Sequence, residues 1–416
     1  MMIKKIEISN FKSFKKLSLN LGNFNVLIGA NASGKSNFTQ IFKFLKDIAL
    51  YGLENAISLQ GGAEYLRNFL LDESEEFSIG VTVYSSDNPI ILDIKYGLVG
   101  VKFNEIRYEF GLVFSKNELI NHDRLNITIE FTKYEKKVNK ELIKKDLLGT
   151  GNLLISNNPD KVKFESNFPG ELKGFSKKLF VPFFPGNALP PRTLLLETPY
   201  FTPLPPFSKL FDDIAIYDFD PKLPKKAVPI TGKTQLEEDG GNLAFVLQNI
   251  VEDNNKKQKF KNLLKDLLPF IDTISVAKFA DKSLLFNLKE SYNKNFNIPA
   301  SLISDGTINL TALIIALYFE DCPFAIFEEP ERNIHPFLIS KIVDMFKDAS
   351  RNKQIIITTH NPEIVKHAGL ENLLLISRDQ GGFSNIKRPS EFEEIKTFLK
   401  NDIGIEELYI QNLLGE

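Results

Sequence analysis

A length of 416 residues leaves room for about two or three domains, and an apolar content of 43% is enough to fill sizeable cores. A net charge of −2 excludes a surface that coats nucleic acid throughout, while leaving room for a local basic face. The single cysteine, Cys322, excludes an intrachain disulfide and paired-cysteine metal sites, which suits a reducing cytoplasm.

The chain opens on Met1-Met2-Ile3-Lys4-Lys5-Ile6-Glu7, which alternates charged and apolar residues and lacks the apolar stretch of a secretory signal. No run approaches the roughly 20 apolar residues of a membrane span. The expectation is a soluble, cytoplasmic protein with no membrane partner. Ile3–Ser9 and Leu17–Leu21 alternate like short strands around the turn Asn10-Phe11-Lys12-Ser13-Phe14. Asn25–Ile28 is a third, apolar strand that ends at Gly29. Ser36–Leu50 then reads as a helix with Phe38, Ile41, Phe42, Leu45 and Ile48 on one face. From Glu76 to Phe131 the runs Phe77–Val83, Ile90–Tyr96, Arg107–Phe114 and Leu125–Phe131 predict an antiparallel sheet. Lys133–Lys145 is lysine-rich and is expected to be helical. Pro182–Pro206 holds eight prolines and should be extended and irregular. Asn242–Val251 and Lys256–Leu268 are expected to be helices. Beyond Ile271, Pro323–Phe327 and Gln354–Thr358 are short apolar or β-branched runs, each followed by a helix, as buried parallel strands require.

Between the third strand and the first helix lies Gly29-Ala30-Asn31-Ala32-Ser33-Gly34-Lys35-Ser36, a complete phosphate-binding loop in the right context. Its glycines let the backbone wrap a phosphate chain, and amide groups and a helix N-terminus face the anion. The loop implies ATP contacts from Gly29, Asn31, Ser33, Gly34, Lys35, Ser36 and Asn37. Lys35 reaches the β and γ phosphates and the Ser36 hydroxyl ligates Mg²⁺. Phe324–Phe327 delivers two carboxylates at its end: Glu328 for the Mg²⁺ shell and Glu329 to orient or deprotonate water. Ile355–Thr359 ends at His360, placed to meet the γ-phosphate or the attacking water. Ser304-Asp305-Gly306 precedes an apolar helix and makes a second anion site. One nucleotide does not need two cradles, but a dimer does, if Ser304 and Gly306 face the nucleotide held by the other subunit. Asp218 and Asp220 form a lone pair of acids that reads as a loop.

In this order the motifs resemble the ABC-class ATPase heads of the RecF, SMC and OLD group. Asn10–Phe14 looks like that group's N-terminal turn and Gly29–Ser36 matches its Walker A loop. Ile303-Ser304-Asp305-Gly306-Thr307 is similar to the signature. Glu328-Glu329-Pro330-Glu331 with Ile334-His335-Pro336 resembles Walker B and the D-loop, and Thr359-His360-Asn361-Pro362 looks like the switch histidine. Glu328 stands where the group has Asp, so its longer arm reaches the metal shell directly or through water. The Q-loop position, also on the metal side, falls to Gln60. The resemblance implies an α/β, P-loop ABC-type ATPase head with a parallel sheet core, an antiparallel β subdomain and an inserted Lys/Pro-rich module. The lobes would be 1–132 and 266–416, with the insert at 133–265. It further implies ATP hydrolysis and a homodimer that sandwiches ATP. The chain looks like the stand-alone AAA-type ATPases of bacterial anti-phage systems, whose companion is a separately encoded nuclease or toxin. The alternative is a RecF-like ATPase of DNA repair or DNA ends. Two lysine clusters, Lys133 to Lys145 and Lys256 to Lys261, bear on it: they are either solvated helix faces or DNA contacts.

Overall fold

The computed structural model describes residues 2–85, 88–95, 97–114, 119–137, 142–170, 172, 188–198, 207–279, 282–292, 295–400, 404–411 and 413–414. Two compact units emerge from them, one made of Met1–Gly22, Ser36–Ile214 and Ser377–Ile386, the other of Asn23–Lys35, Ala215–Ile376 and Lys387–Glu416.

In chain order the first elements are β1 (Met2–Phe11), β2 (Phe14–Asn20), β3 (Phe24–Ile28), α1 (Lys35–Tyr51), α2 (Leu53–Leu59) and α3 (Ala63–Leu66). They are followed by β4 (Phe77–Tyr84), β5 (Ile90–Ile94), β6 (Gly97–Leu112), β7 (Ile120–Lys136), β8 (Leu142–Asn158), β9 (Lys161–Asn167) and α4 (Phe207–Asp212). The first unit is built on an antiparallel sheet of order β2-β1-β4-β6-β7-β8-β9, with β5 beside β6. Alternation sets its faces. Ile6 pairs with Leu19 on one side and Val81 on the other, and all three are buried. The apolar stripe of α1 is buried along with Phe44, whose ring lies 5.8 Å from that of Phe77. Phe11 closes on the same ring, also at 5.8 Å.

The lysine-rich stretch departs from expectation. β7 continues to Lys136 and β8 begins at Leu142, with Tyr134 opposite Lys144 and Glu135 opposite Ile143. The period-2 pattern of Leu125, Ile127, Ile129 and Phe131 carries the ladder onward, and paired backbone outweighs the helix preference of lysine. Lys145 and Glu135 form an ion pair at 3.0 Å across these strands. Most of the proline-rich stretch lies outside the described residues; within it Leu195–Glu197 forms one 3₁₀ turn.

The second unit contains β3 and then β10 (Ile214–Tyr217), β11 (Val228–Pro229), α5 (Leu243–Glu252), α6 (Asn254–Leu267), β12 (Ile271–Phe279), β13 (Ser283–Glu290) and β14 (Ile298–Pro299). Next come α7 (Asp305–Tyr318), β15 (Phe324–Glu328), α8 (Ile339–Ala349), β16 (Gln354–Thr359), α9 (Pro362–Ala368) and β17 (Leu373–Arg378). The remaining elements are β18 (Ser384–Lys387), three of whose four residues fall in the first unit's segment Ser377–Ile386, α10 (Glu393–Lys400) and α11 (Ile405–Ile410). The central sheet has order β10-β15-β16-β3-β17-β18. β15, β16, β3 and β17 run parallel, as their continuous apolar sequences require. The apolar run after Thr307 is a core helix: every α7 residue from Thr307 to Leu317 is buried. Among the described residues no helix is long and apolar enough to cross a membrane.

Candidate functional site

Strand register assembles the site. Glu328 is opposite Thr358, and Thr359 is opposite Ile28, so β15, β16 and β3 end together at one sheet edge. The next residues, Glu329, His360 and Gly29, are therefore delivered to that edge by three strands far apart in sequence. This is the carboxyl edge at which parallel α/β sheets place ligands.

At the end of β3 the loop turns through Ala32 (φ 62°) and Gly34 (φ 116°), left-handed conformations in the loop before α1. A Cβ on Gly29 would lie 2.3 Å from the Ile376 carbonyl oxygen and 2.9 Å from the Ser33 hydroxyl, so no larger residue fits. Lys35 Nζ folds back over the loop and donates to the carbonyls of Gly29 (2.7 Å) and Ala30 (3.0 Å). Burial lowers the Lys35 pKa, and the carboxylates of Glu329 and Glu331 act against that shift. Asn31 and Ser36 are exposed, while Ser33 and Gly34 are buried.

Glu329 adopts φ 43°, and its amide donates to the Thr358 carbonyl at 2.9 Å. Glu329 Oε1 lies 3.0 Å from His360 Nδ1, and Oε2 accepts from Arg332 Nε at 2.8 Å. Burial pushes the Glu329 pKa up, but the hydrogen bonds and charges of Arg332 and His360 outweigh it and hold the carboxyl below its ordinary value. Glu331 is buried, 7% exposed. Its Oε1 accepts from the Thr359 hydroxyl, and its Oε2 is buried with no hydrogen-bond partner. Burial raises its pKa.

The signature turn serves α7 first. Ser304 caps the helix, its hydroxyl accepting from Thr307 N at 3.2 Å, and it is exposed. A Cβ on Gly306 would lie 2.4 Å from the Asn333 carbonyl oxygen, so this glycine permits the turn after β15 to press on α7. Asn309 Nδ2 donates to the Arg332 carbonyl at 2.8 Å and ties the same two segments.

Three sequence candidates, Ser36, Asn37 and Gln60, belong to the first unit. Asn37 donates to the Ser13 hydroxyl at 2.8 Å. Gln60 caps the C-terminus of α2 and lines a pocket with Lys12, Ser13, Asn37, Arg67 and Arg378. Of the lysine clusters, Lys256 and Lys257 are exposed on α6, Lys259 lies 5.3 Å from the Phe319 ring, and Lys261 faces Asp272 at 3.5 Å. Glu331, Arg332 and Asp218 were not expected at the site. Glu331 was legible as the last acid of Glu-Glu-Pro-Glu, whereas nothing in the sequence pairs Arg332 with Asp218.

The residues present fit a Mg²⁺-nucleotide. The glycine cradle leaves backbone where a side chain cannot go, a lysine covers it, and carboxylates gather at the adjoining edge. Among the described residues no three acidic, histidine or cysteine side chains converge as a self-sufficient metal site. Hydroxyl and carboxylate oxygens are the donor types that suit Mg²⁺, which keeps waters and takes phosphate oxygens as ligands.

Residues 24–366 match the model of a family described as "AAA domain, putative AbiEii toxin, Type IV TA system". Over 58 residues, 14% of this chain, the sequence is 40% identical to endonuclease GajA of Bacillus cereus (strain VD045). That match spans only 10% of GajA. Among solved structures, an SMC head bound to the C-terminal winged-helix domain of ScpA is similar at a TM-score of 0.50 and 15% identity, covering 93% of this chain and 97% of that one. An SMC head with an extended coiled coil, bound to the C-terminal domain of ScpA from Pyrococcus furiosus, gives 0.48 and 14%, covering 96% and 99%. The fold is that of an SMC-type head.

Proposed function

The chain belongs to this AAA-domain family, and on that premise we propose that it binds ATP with Mg²⁺, hydrolyses it to ADP and phosphate, and closes into a homodimer around two nucleotides. Its output is control of a separately encoded effector, a nuclease or toxin, in anti-phage defence in the cytoplasm. The stretch 133–265, expected as an inserted module between lobes 1–132 and 266–416, instead shares both sheets: it completes β7, supplies β8 and β9 to the antiparallel sheet and β10 to the central one. The observation that carries the catalytic reading is the shared edge of β15, β16 and β3, which gathers Glu329, His360 and the Gly29–Lys35 loop.

Loop amides and Lys35 hold the phosphates, with Asn31, Ser33 and Asn37 beside them. Ser36 and Glu328 would hold Mg²⁺, with Gln60 on the metal side, and the bound ion would supply charge neutralisation on the phosphate oxygens. Glu329 orients water and accepts its proton. The position of His360 beside Glu329 Oε1 lets it share that task and sense the terminal phosphate. Positioning and fixed charge account for most of such catalysis. Ser304 and Gly306 complete the partner subunit's nucleotide site.

The test is ATP binding and phosphate release by the wild-type protein and by Lys35→Ala. The variant should lose turnover by at least about 100-fold, because several kcal/mol of charge stabilisation disappears. Turnover retained within about twofold would sink the reading. A RecF-like role in DNA repair is the alternative. The exposed Lys256 and Lys257 favour it, and salt-dependent binding of a DNA duplex, weakened by reversing these two charges, would support it.

A further inference from the structure

β10 lies next to β15 in the central sheet, and the Tyr217 ring stacks 5.0 Å from that of Phe327. The residue after Tyr217 is Asp218, and its carboxylate meets Arg332, the residue that also holds Glu329. Its amide donates to the Glu238 carbonyl at 2.9 Å, which fixes its backbone. Across from it, the chain beyond β15 makes a tight turn in which Arg332 N donates to the Glu329 carbonyl at 3.1 Å. The turn brings the Arg332 side chain back against the carboxylate three residues earlier. One edge of the guanidinium (Nε) holds Glu329 Oε2 at 2.8 Å, and another (Nη1) holds Asp218 Oδ1 at 2.6 Å.

We propose that Asp218 and Arg332 are positioning residues that brace the Glu329 carboxylate in the orientation needed to align water. The proposal rests on the hydrolytic reading above. Stability is not the purpose of the outer contact. The Asp218 and Arg332 side chains are 54% and 45% exposed, and ion pairs this exposed contribute little to stability. Orientation is what the geometry provides. A planar guanidinium held on two edges cannot rotate without breaking one hydrogen bond, whereas an ammonium imposes no such plane. Glu329 sits in a left-handed backbone conformation at the strand end, and its carboxylate is gripped on both oxygens, by Arg332 and His360. The Arg332 carbonyl is in turn held by Asn309 of α7, so the brace is joined to the helix that follows the signature turn.

The experiment measures kcat and KM for ATP hydrolysis, and ATP affinity by calorimetry, for the full chain and for Arg332→Ala, Arg332→Lys, Asp218→Asn, the double variant Asp218→Asn/Arg332→Ala, and Glu329→Gln. Arg332→Ala should lower kcat by roughly 10- to 100-fold, as misplacement of a reacting group does, with KM and ATP affinity within about twofold. Arg332→Lys should recover little, because charge without the plane does not set the orientation. Asp218→Asn should lower kcat by roughly 3- to 10-fold, and the double variant should be no slower than Arg332→Ala alone, the mark of two residues acting in one chain. Four outcomes overturn the brace: an unchanged or raised kcat in Arg332→Ala, full activity in Arg332→Lys, multiplying effects in the double variant, or a loss confined to KM. Asp218→Asn changes an exposed group and keeps the test valid where Arg332→Ala fails to fold. If Glu329→Gln stops hydrolysis while the brace variants behave as wild type, the brace alone fails. If Glu329→Gln hydrolyses normally, the reading beneath it fails as well.

Discussion

Gly29→Ala adds one methyl group at the root of the phosphate loop. Its carbon would stand 2.3 Å from the Ile376 carbonyl oxygen, 2.7 Å from Ile376 Cγ2 and 2.9 Å from the Ser33 hydroxyl. Ordinary contact needs about 1 Å more than the first of these, and neither wall yields easily. Ile376 is a buried residue of β17, and Ser33 belongs to the loop itself. The loop must therefore shift by about 1 Å away from β17. Overpacking of this kind costs roughly 1–3 kcal/mol of stability, and a displacement of that size at a reacting centre costs about 100-fold. ATP turnover should fall by about that factor and calorimetric titration should show weakened ATP binding, with the far-ultraviolet circular dichroism of the wild type retained. Gly232→Ala is the matched control, since a Cβ there meets nothing within 4 Å. Wild-type ATP affinity in Gly29→Ala would refute the idea that backbone proximity at this position forms the cradle.

Three further outcomes are expected. Ser304→Arg, at an exposed position, should leave ATP binding by the single subunit intact and abolish ATP-driven association in light scattering; association at the wild-type level counts against the shared site. Gly306→Arg is a poor substitute, because any side chain there strikes the Asn333 carbonyl within the same subunit. Burial pushes the Asp123 carboxyl from 3.8 up to about 7, against the hydrogen bonds it accepts from Leu195 N (2.7 Å) and Asn157 Nδ2 (3.0 Å). Between about pH 4 and 7 the folded state then binds the extra proton, so this group's contribution to stability is lost as pH rises, by up to about 4 kcal/mol. Asp123→Asn should flatten that part of the pH dependence of the urea midpoint, and an unchanged slope would contradict the assignment. Phe77→Ala, in the aromatic cluster of the first unit, should cost about 3–5 kcal/mol in urea unfolding; a loss under about 1 kcal/mol would show that the cluster is not a core.

Much of the site was legible because its signals are local. A buried parallel strand is a short apolar run, and the residue after it is at the sheet edge, so Gly29, Glu329 and His360 could be placed from sequence. The strand–loop–helix context of Gly29–Ser36 did the same for the phosphate loop. What escaped were contacts whose partners are remote. Lys133–Lys145 reads as a helix by composition, but residues 133–136 and 142–145 are fixed by pairing of β7 with β8 and of β7 with β6, and 138–141 lie outside the described residues. Arg332 and Asp218 are 114 residues apart, on two turns without periodicity, and only the adjacency of β10 and β15 joins them. At Gly306 the Cβ space shows, besides any phosphate role the motif suggests, a packing demand that a sequence motif cannot express.

The central claim is that Glu329, at the end of β15, activates water for ATP hydrolysis. Glu329→Gln keeps the shape of the side chain and removes its capacity to accept a proton. The measurement is phosphate release at saturating ATP, with bound nucleotide quantified on the same samples. The account expects ATP to be bound as tightly as by the wild type and phosphate release to fall by at least about 100-fold, within the range general base catalysis supplies. Phosphate release by Glu329→Gln at the wild-type rate, with Glu328→Gln inactive, would contradict it and assign the role to the neighbouring carboxylate.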